Sequence, residues 1–147
     1  MAQGVDASRV WVVPNAFDLR RIEGGRRDAR LAADLGIADS IVLGFVGWFD
    51  EWDRLDVLIK VFARISESRP ALRLLLVGDG PVAAGLQALA GQLRLGSRVV
   101  FTGPVPRSKV LDYSSLIDIA VLPHSNPFGS PVVMFEFMGL RIPVVAP

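Results

Sequence analysis

The sequence predicts an α/β fold, a doubly wound parallel sheet with helices on both faces. Two observations lead there. Short apolar runs rich in β-branched residues recur along the chain, and none alternates with polar residues as a half-exposed strand would. Between them lie segments whose apolar residues follow helical spacing. Repeated strand, helix, strand units build right-handed crossovers whose parallel strands are buried on both sides.

Taken in order, the predicted strands are residues 10–13, 41–46, 72–77, 99–101, 119–122 and 143–145. The clearest helix places Leu55, Leu58, Ile59, Phe62 and Ile65 on one face and Arg54, Lys60, Arg64 and Glu67 on the wet side. Further helices are expected over residues 82–93, 108–115 and 131–138. Residues 18–30 are polar and arginine-rich and read as solvated surface.

With 147 residues, 51% of them apolar, the chain can bury one core, so residues 1–147 are expected to form a single domain. Sixteen basic against fifteen acidic side chains leave a formal charge of +1, so nothing advertises a polyanionic partner such as nucleic acid, while a single phosphate site stays open. The lack of cysteine excludes disulfides, thiolate catalysis and cysteine-based metal centres. No run is long enough to span a membrane, and residues 1–10 do not have the pattern of a signal peptide, so a cytoplasmic location is expected.

In parallel doubly wound sheets ligands sit beyond the carboxyl ends of the strands, which singles out the loops after Val46, Val77, Phe101 and Leu122. Gly78-Asp79-Gly80-Pro81-Val82-Ala83 superficially fits a dinucleotide-binding fingerprint. A dinucleotide-dependent oxidoreductase would also need an acidic residue at the end of the next strand, and that strand reads Val99-Val100-Phe101-Thr102. Two readings of these glycines remain, a tight turn with Pro81 at the first helical position or a site lining.

The second loop is more specific. In Phe128-Gly129-Ser130-Pro131, Gly129 permits close approach, Ser130 is a natural helix cap and Pro131 a natural first helical residue. Free amides at such a helix start attract anions. Glu136 follows in the otherwise apolar run Val132, Val133, Met134, Phe135, Phe137 and Met138, where a carboxylate needs a partner, either structural or the hydroxyls of a ligand. His124 stands alone, which excludes a multi-histidine metal site, and Asp50, Glu51 and Asp53 read as solvated loop acids; no metal is expected.

These blocks together resemble the C-terminal, nucleotide-sugar-binding domain of GT-B-fold retaining glycosyltransferases of group 1. The matching blocks are Val13-Pro14-Asn15 with Phe17-Asp18, Phe45-Val46-Gly47, Leu75 to Pro81, Val99 to Gly103 with Val105, Asp118 to Pro123, and Phe128 to Ala146. They run in the family's order over nearly the whole chain. The resemblance implies a Rossmann-like domain that binds a nucleotide diphosphate sugar as donor substrate, with no cofactor or metal. It implies that Glu136 holds the ribose hydroxyls and that amides around Gly129, Ser130, Pro131, Val132 and Val133 face the diphosphate. The main chain near Thr102 to Val105 would meet the base, Gly47 would border the sugar-diphosphate, and Gly78 would line the site. The implied reaction is glycosyl transfer to an acceptor with retention at the anomeric carbon.

The resemblance also implies that an acceptor glycan, lipid or small molecule binds through an N-terminal domain lying outside these residues, and it leaves room for peripheral membrane association of the full-length protein. The chain is accordingly expected to be a fragment that stops before the closing helices and is inactive alone.

The sequence departs from the family at charged positions. Trp48 follows the first-loop glycine where arginine, serine or asparagine is usual, Asp53-Arg54 replaces a Lys-Gly pair, Val133 replaces a base, and Phe128 replaces a second glutamate. A carboxylate about 6 Å from a diphosphate charge costs roughly 3 kcal/mol at an effective dielectric of about 20, more than the ~0.3–2 kcal/mol a helix N-terminus returns. Arg54 is therefore the expected substitute cation. The alternative is a catalytically degenerate homologue acting as a binding or assembly module.

Overall fold

The computed structural model of the chain describes residues 4, 6–18, 20, 27–124 and 131–147. Helix α1 (Ala29–Asp34) leads into strand β1 (Ile41–Val46), and β1–α2–β2 follows through α2 (Leu55–Ser66) and β2 (Leu72–Val77). The path continues through α3 (Ala83–Gln92), β3 (Val99–Phe101), α4 (Val110–Ser114), β4 (Ile119–Val121), α5 (Val132–Gly139) and β5 (Val144–Val145).

All pairings are parallel, and the five-stranded sheet has the order β3-β2-β1-β4-β5. β1 and β2 pair over their full length, from Ile41 against Leu72 to Val46 against Val77. Because successive strand residues point to opposite faces, the sheet feeds two cores. Phe45, Leu72, Leu74 and Leu76 pack with Leu55, Leu58, Ile59 and Phe62 of α2 and with Leu86 and Ala90 of α3. Val42, Val46, Leu75 and Val77 face the other way, onto Ala32 of α1, Leu116 and Ile117 after α4, and Phe137 of α5. This two-sided burial is why β1 and, apart from Arg73, β2 read as apolar runs.

Helix α2 forms where its buried residues recur at helical spacing, and an Asp56–Lys60 pair at 3.0 Å lies on its exposed face. On the opposite face of the sheet the segment after α4 approaches so closely that a Cβ on Gly44 would lie 2.3 Å from the Ile117 side chain. Only glycine fits there without displacing Ile117.

Three expectations are corrected. Residues 10–13 form no strand. They are exposed, from 56% at Val10 to 91% at Val12, because β-branched composition favours extended backbone but supplies no sheet edge to pair with, and Pro14 carries no N–H for a ladder. Residues 18–30 are not all solvated surface: Asp28 caps the unforeseen α1 by accepting from the amides of Arg30 and Leu31, and Arg27 is half-buried. Neither Pro81 nor Pro131 is a first helical residue. α3 starts at Ala83 after a turn, and Pro131, with ψ 118°, caps α5 from outside while its carbonyl accepts from Met134.

No helix among the described residues is long and apolar enough to cross a membrane.

Candidate functional site

The strand order reverses direction at β1, with β2 and β3 on one side and β4 and β5 on the other. Crevices open at the carboxyl ends of strands where such a reversal occurs. A cleft of about 370 Å³ lies there. β1 contributes Val46, Gly47 and Trp48, and β2 contributes Val77, Gly78 and Asp79. Pro104, Val105, Arg107 and Val110 come from the path between β3 and α4, and Glu136 comes from α5. Beyond Arg107 and Glu136, Phe17 from the N-terminal segment closes a smaller recess of about 40 Å³.

The floor is backbone. Gly78 has φ +127°, and a Cβ there would lie 2.0 Å from the Gly47 carbonyl oxygen; a Cβ on Gly80 would lie 2.3 Å from that of Phe49. The two loops therefore interlock, with the amides of Gly47 and Phe49 donating to the carbonyls of Val77 and Asp79 at 3.0 and 2.8 Å. The turn reading describes the local role of both glycines, and Gly78, unlike Gly80, also lines the cleft.

Glu136 is half-buried, and among the described residues its carboxylate has no hydrogen bond or ion pair. Arg107, on the short 3-10 turn Arg107–Lys109 after Pro106, is in the same position: among the described residues it has no ion pair, and it lines the cleft beside Glu136. Asp79 is partly used, accepting from the Gly80 amide at 2.8 Å. A half-buried acid and a base left without partners suit a ligand that offers both hydroxyls and negative charge.

Of the residues singled out from the sequence, Gly47, Gly78, Val105 and Glu136 meet in this cleft. Thr102 does not line it: its hydroxyl accepts from the Gly78 amide at 3.1 Å and donates to the Gly103 carbonyl at 2.8 Å, holding the β2 and β3 loops together. Pro131, Val132 and Val133 also lie outside its lining, although no side chain among the described residues caps the start of α5. Gly129 and Ser130, like Phe128, fall outside the described residues.

Arg54 is not brought to the cleft. It sits at φ 50° between a 3-10 turn and α2, and its Nε donates to Asp56 at 3.2 Å. The loop acids are turned to local use: Asp50 accepts from Trp52 at 3.3 Å, and Asp53 accepts from the Asp50 amide at 3.4 Å. Burial holds the Asp53 carboxyl above its ordinary value, opposed by the Asp50 amide, reinforced by the Asp50 charge and offset by His124. No cluster of three or more potential metal-ligating side chains occurs among the described residues. Sequence reasoning missed Arg107 altogether; its one signal was its place just beyond the carboxyl end of β3.

A Rossmann-like parallel sheet with a cleft at its strand ends, lined mostly by apolar atoms but carrying Asp79, Arg107 and Glu136, belongs to the class of α/β folds that take ligands in such crevices. Comparison with known proteins gives the family. The family model described as glycosyl transferases group 1 matches residues 40–147, and the chain belongs to that family. A D-inositol 3-phosphate glycosyltransferase from Nocardia farcinica is 35% identical over 97% of the chain. The chain spans about a third of the length of such curated relatives, 33% in this case. Among solved structures, HepE from Anabaena in complex with UDP superposes with a TM-score of 0.79 at 25% identity, covering 97% of this chain and 40% of that one. The C-terminal domain of a group 1 family protein, LpcC, from Francisella tularensis shares the fold with a TM-score of 0.71 at 16% identity, over 89% of this chain and 70% of that one.

Proposed function

We propose that the cleft binds the nucleoside diphosphate of a sugar donor and that the chain is the donor-binding part of a glycosyltransferase. The observation that carries this reading is Glu136, a half-buried carboxylate with no described protein partner, facing a floor built from the Gly47 and Gly78 backbone. A carboxylate so placed accepts from the two ribose hydroxyls, and close backbone leaves room for the phosphates. UDP bound to the Anabaena relative supports the same ligand class.

On this reading Arg107 takes the diphosphate charge that develops as the glycosyl bond breaks. The glycosyl group passes to an acceptor held outside these residues, with retention at the anomeric carbon. Arg107 favours this reading over a degenerate binding module, because it supplies the cleft with a cation that the first loop does not.

Calorimetric titration of the chain with UDP, GDP and ADP tests the proposal. One nucleotide should bind, and Glu136→Gln should weaken it about 10- to 100-fold, the range for hydrogen bonds to a charged group. Absence of binding by all three, or an unchanged affinity in Glu136→Gln, would overturn it. Retention is read from the anomeric configuration of the product formed by the full-length protein.

A further inference from the structure

Trp48 is a large aromatic side chain at the cleft, 65% exposed, yet the backbone on either side of it is fixed. Before it, the Gly47 amide donates to Val77. After it, Phe49 is buried to 1% exposure, stands 6.1 Å from the Phe45 ring, donates to the Asp79 carbonyl and accepts from the Val82 amide. Trp52, equally exposed and only four residues on, does not line the cleft. Among the described residues the loop thus holds a largely exposed indole in the lining of the cleft. An aromatic face left open at a cleft whose lining is mostly apolar, with Asp79, Arg107 and Glu136 as its charged groups, suits the C–H face of a sugar ring, while its edge offers one N–H.

The charges beside it restrict the ring further. Among the described residues the cleft carries two carboxylates, Asp79 and Glu136, against one cation, Arg107. A diphosphate already claims that cation, and an additional carboxylate on the sugar would meet only like charge among the described residues.

Building on the donor-binding reading above, we propose that Trp48 is the wall against which the donor's glycosyl ring packs, so that the cleft selects neutral hexosyl donors over both the bare nucleotide and uronosyl donors. Glu136 and Arg107 hold the nucleoside diphosphate, and Trp48 reads what is attached to it.

The test uses the chain, Trp48→Ala and Trp48→Phe, titrated calorimetrically with UDP, UDP-glucose, UDP-N-acetylglucosamine and UDP-glucuronic acid, and with GDP and GDP-mannose. In the parent at least one neutral conjugate should bind about three- to tenfold tighter than its own nucleoside diphosphate, the size of one aromatic packing contact, and UDP-glucuronic acid should bind no tighter than UDP. Trp48→Ala should abolish that preference, read as the ratio of conjugate to nucleotide affinity within each variant, and Trp48→Phe should keep most of it. In a Trp11→Phe, Trp52→Phe background, the remaining Trp48 fluorescence should change more with the conjugate than with the nucleotide.

Equal preference in parent and Trp48→Ala overturns the assignment while leaving donor binding intact. An equal loss for nucleotide and conjugate places the indole against the nucleotide and overturns it too, as does tighter binding of UDP-glucuronic acid than of UDP-glucose. If the parent binds no nucleotide, the donor-binding reading fails and this inference falls with it.

Discussion

Replacing Arg27 by alanine removes one side chain that reaches four separate acceptor groups, three carbonyls and a carboxylate. Nη1 donates to the Leu116 carbonyl at 3.1 Å and to the Asp118 carboxylate at 3.1 and 3.3 Å, while Nη2 donates to the carbonyls of Ile37 at 3.1 Å and Ser40 at 3.4 Å. Asp118 in turn accepts from the Val42 amide at 2.7 Å, so the cluster joins the approach to β1 with the approach to β4. Those are the two strands that meet where the sheet reverses direction.

The Arg27 and Asp118 side chains are 32% and 42% exposed, so the ion pair itself is worth at most about 1 kcal/mol. The bonds to carbonyls add about 1 kcal/mol each, with the 3.4 Å contact contributing least. Arg27→Ala should therefore cost about 2–3 kcal/mol, a fall in Tm of roughly 6–10 °C for a chain of this length. Arg27→Lys, able to reach fewer acceptors at once, should fall between. Thermal and urea denaturation followed by circular dichroism measures this, with the exposed neighbour Arg30→Ala expected to stay within about 0.5 kcal/mol of the parent. A loss below about 0.5 kcal/mol in Arg27→Ala would show that water replaces all four contacts and that the clamp is ornamental.

Other perturbations have equally definite outcomes. Gly78→Ala forces a Cβ against the Gly47 carbonyl at an unfavourable φ and should lose about 3 kcal/mol or fail to fold, read by the same denaturation assay. Arg54→Ala should leave nucleotide affinity unchanged in calorimetry, whereas Arg107→Ala should lower it about tenfold and flatten its dependence on salt. Asp53→Asn should be more stable than the parent at neutral pH, because burial raises the Asp53 pKa in the folded state. A raised carboxyl pKa means that the folded protein holds the proton longer, so the parent loses stability as pH rises through the interval from the ordinary aspartate value to the raised one. The two proteins should therefore converge in Tm when the pH is taken below that interval.

The central strands were legible to the residue because burial on both faces leaves an unambiguous mark: β1, β2 and β3 occupy the stretches their apolar runs delimit. α1 was invisible for the opposite reason. It has six residues and one buried side chain, Ala32, and its only sequence sign is the capping Asp28. Arg27 was misjudged because a charge run says nothing about acceptors 10 to 91 positions away. In the cleft, Glu136 stood out as an acid in apolar company, but Arg107 belongs to no motif and becomes a site residue only because the crossover from β3 lands it beside α5.

That placement resolves the electrostatic conflict posed by the first loop. An inward Asp53 would oppose a diphosphate by roughly 3 kcal/mol, enough to outweigh a helix terminus. The fold avoids this although the loop's one base, Arg54, does not reach the cleft. Asp50 and Asp53 are spent on closing the turn before α2, Arg54 is drawn to Asp56, and the cation comes instead from beyond β3. The position vacated in the first loop is filled by an indole, which adds no charge and leaves Arg107 unopposed except by Asp79 and Glu136. A site whose cation and whose sugar-facing wall sit on different loops can have each altered separately, so Arg107→Ala and Trp48→Ala should change nucleotide affinity and sugar preference independently and add in the double variant.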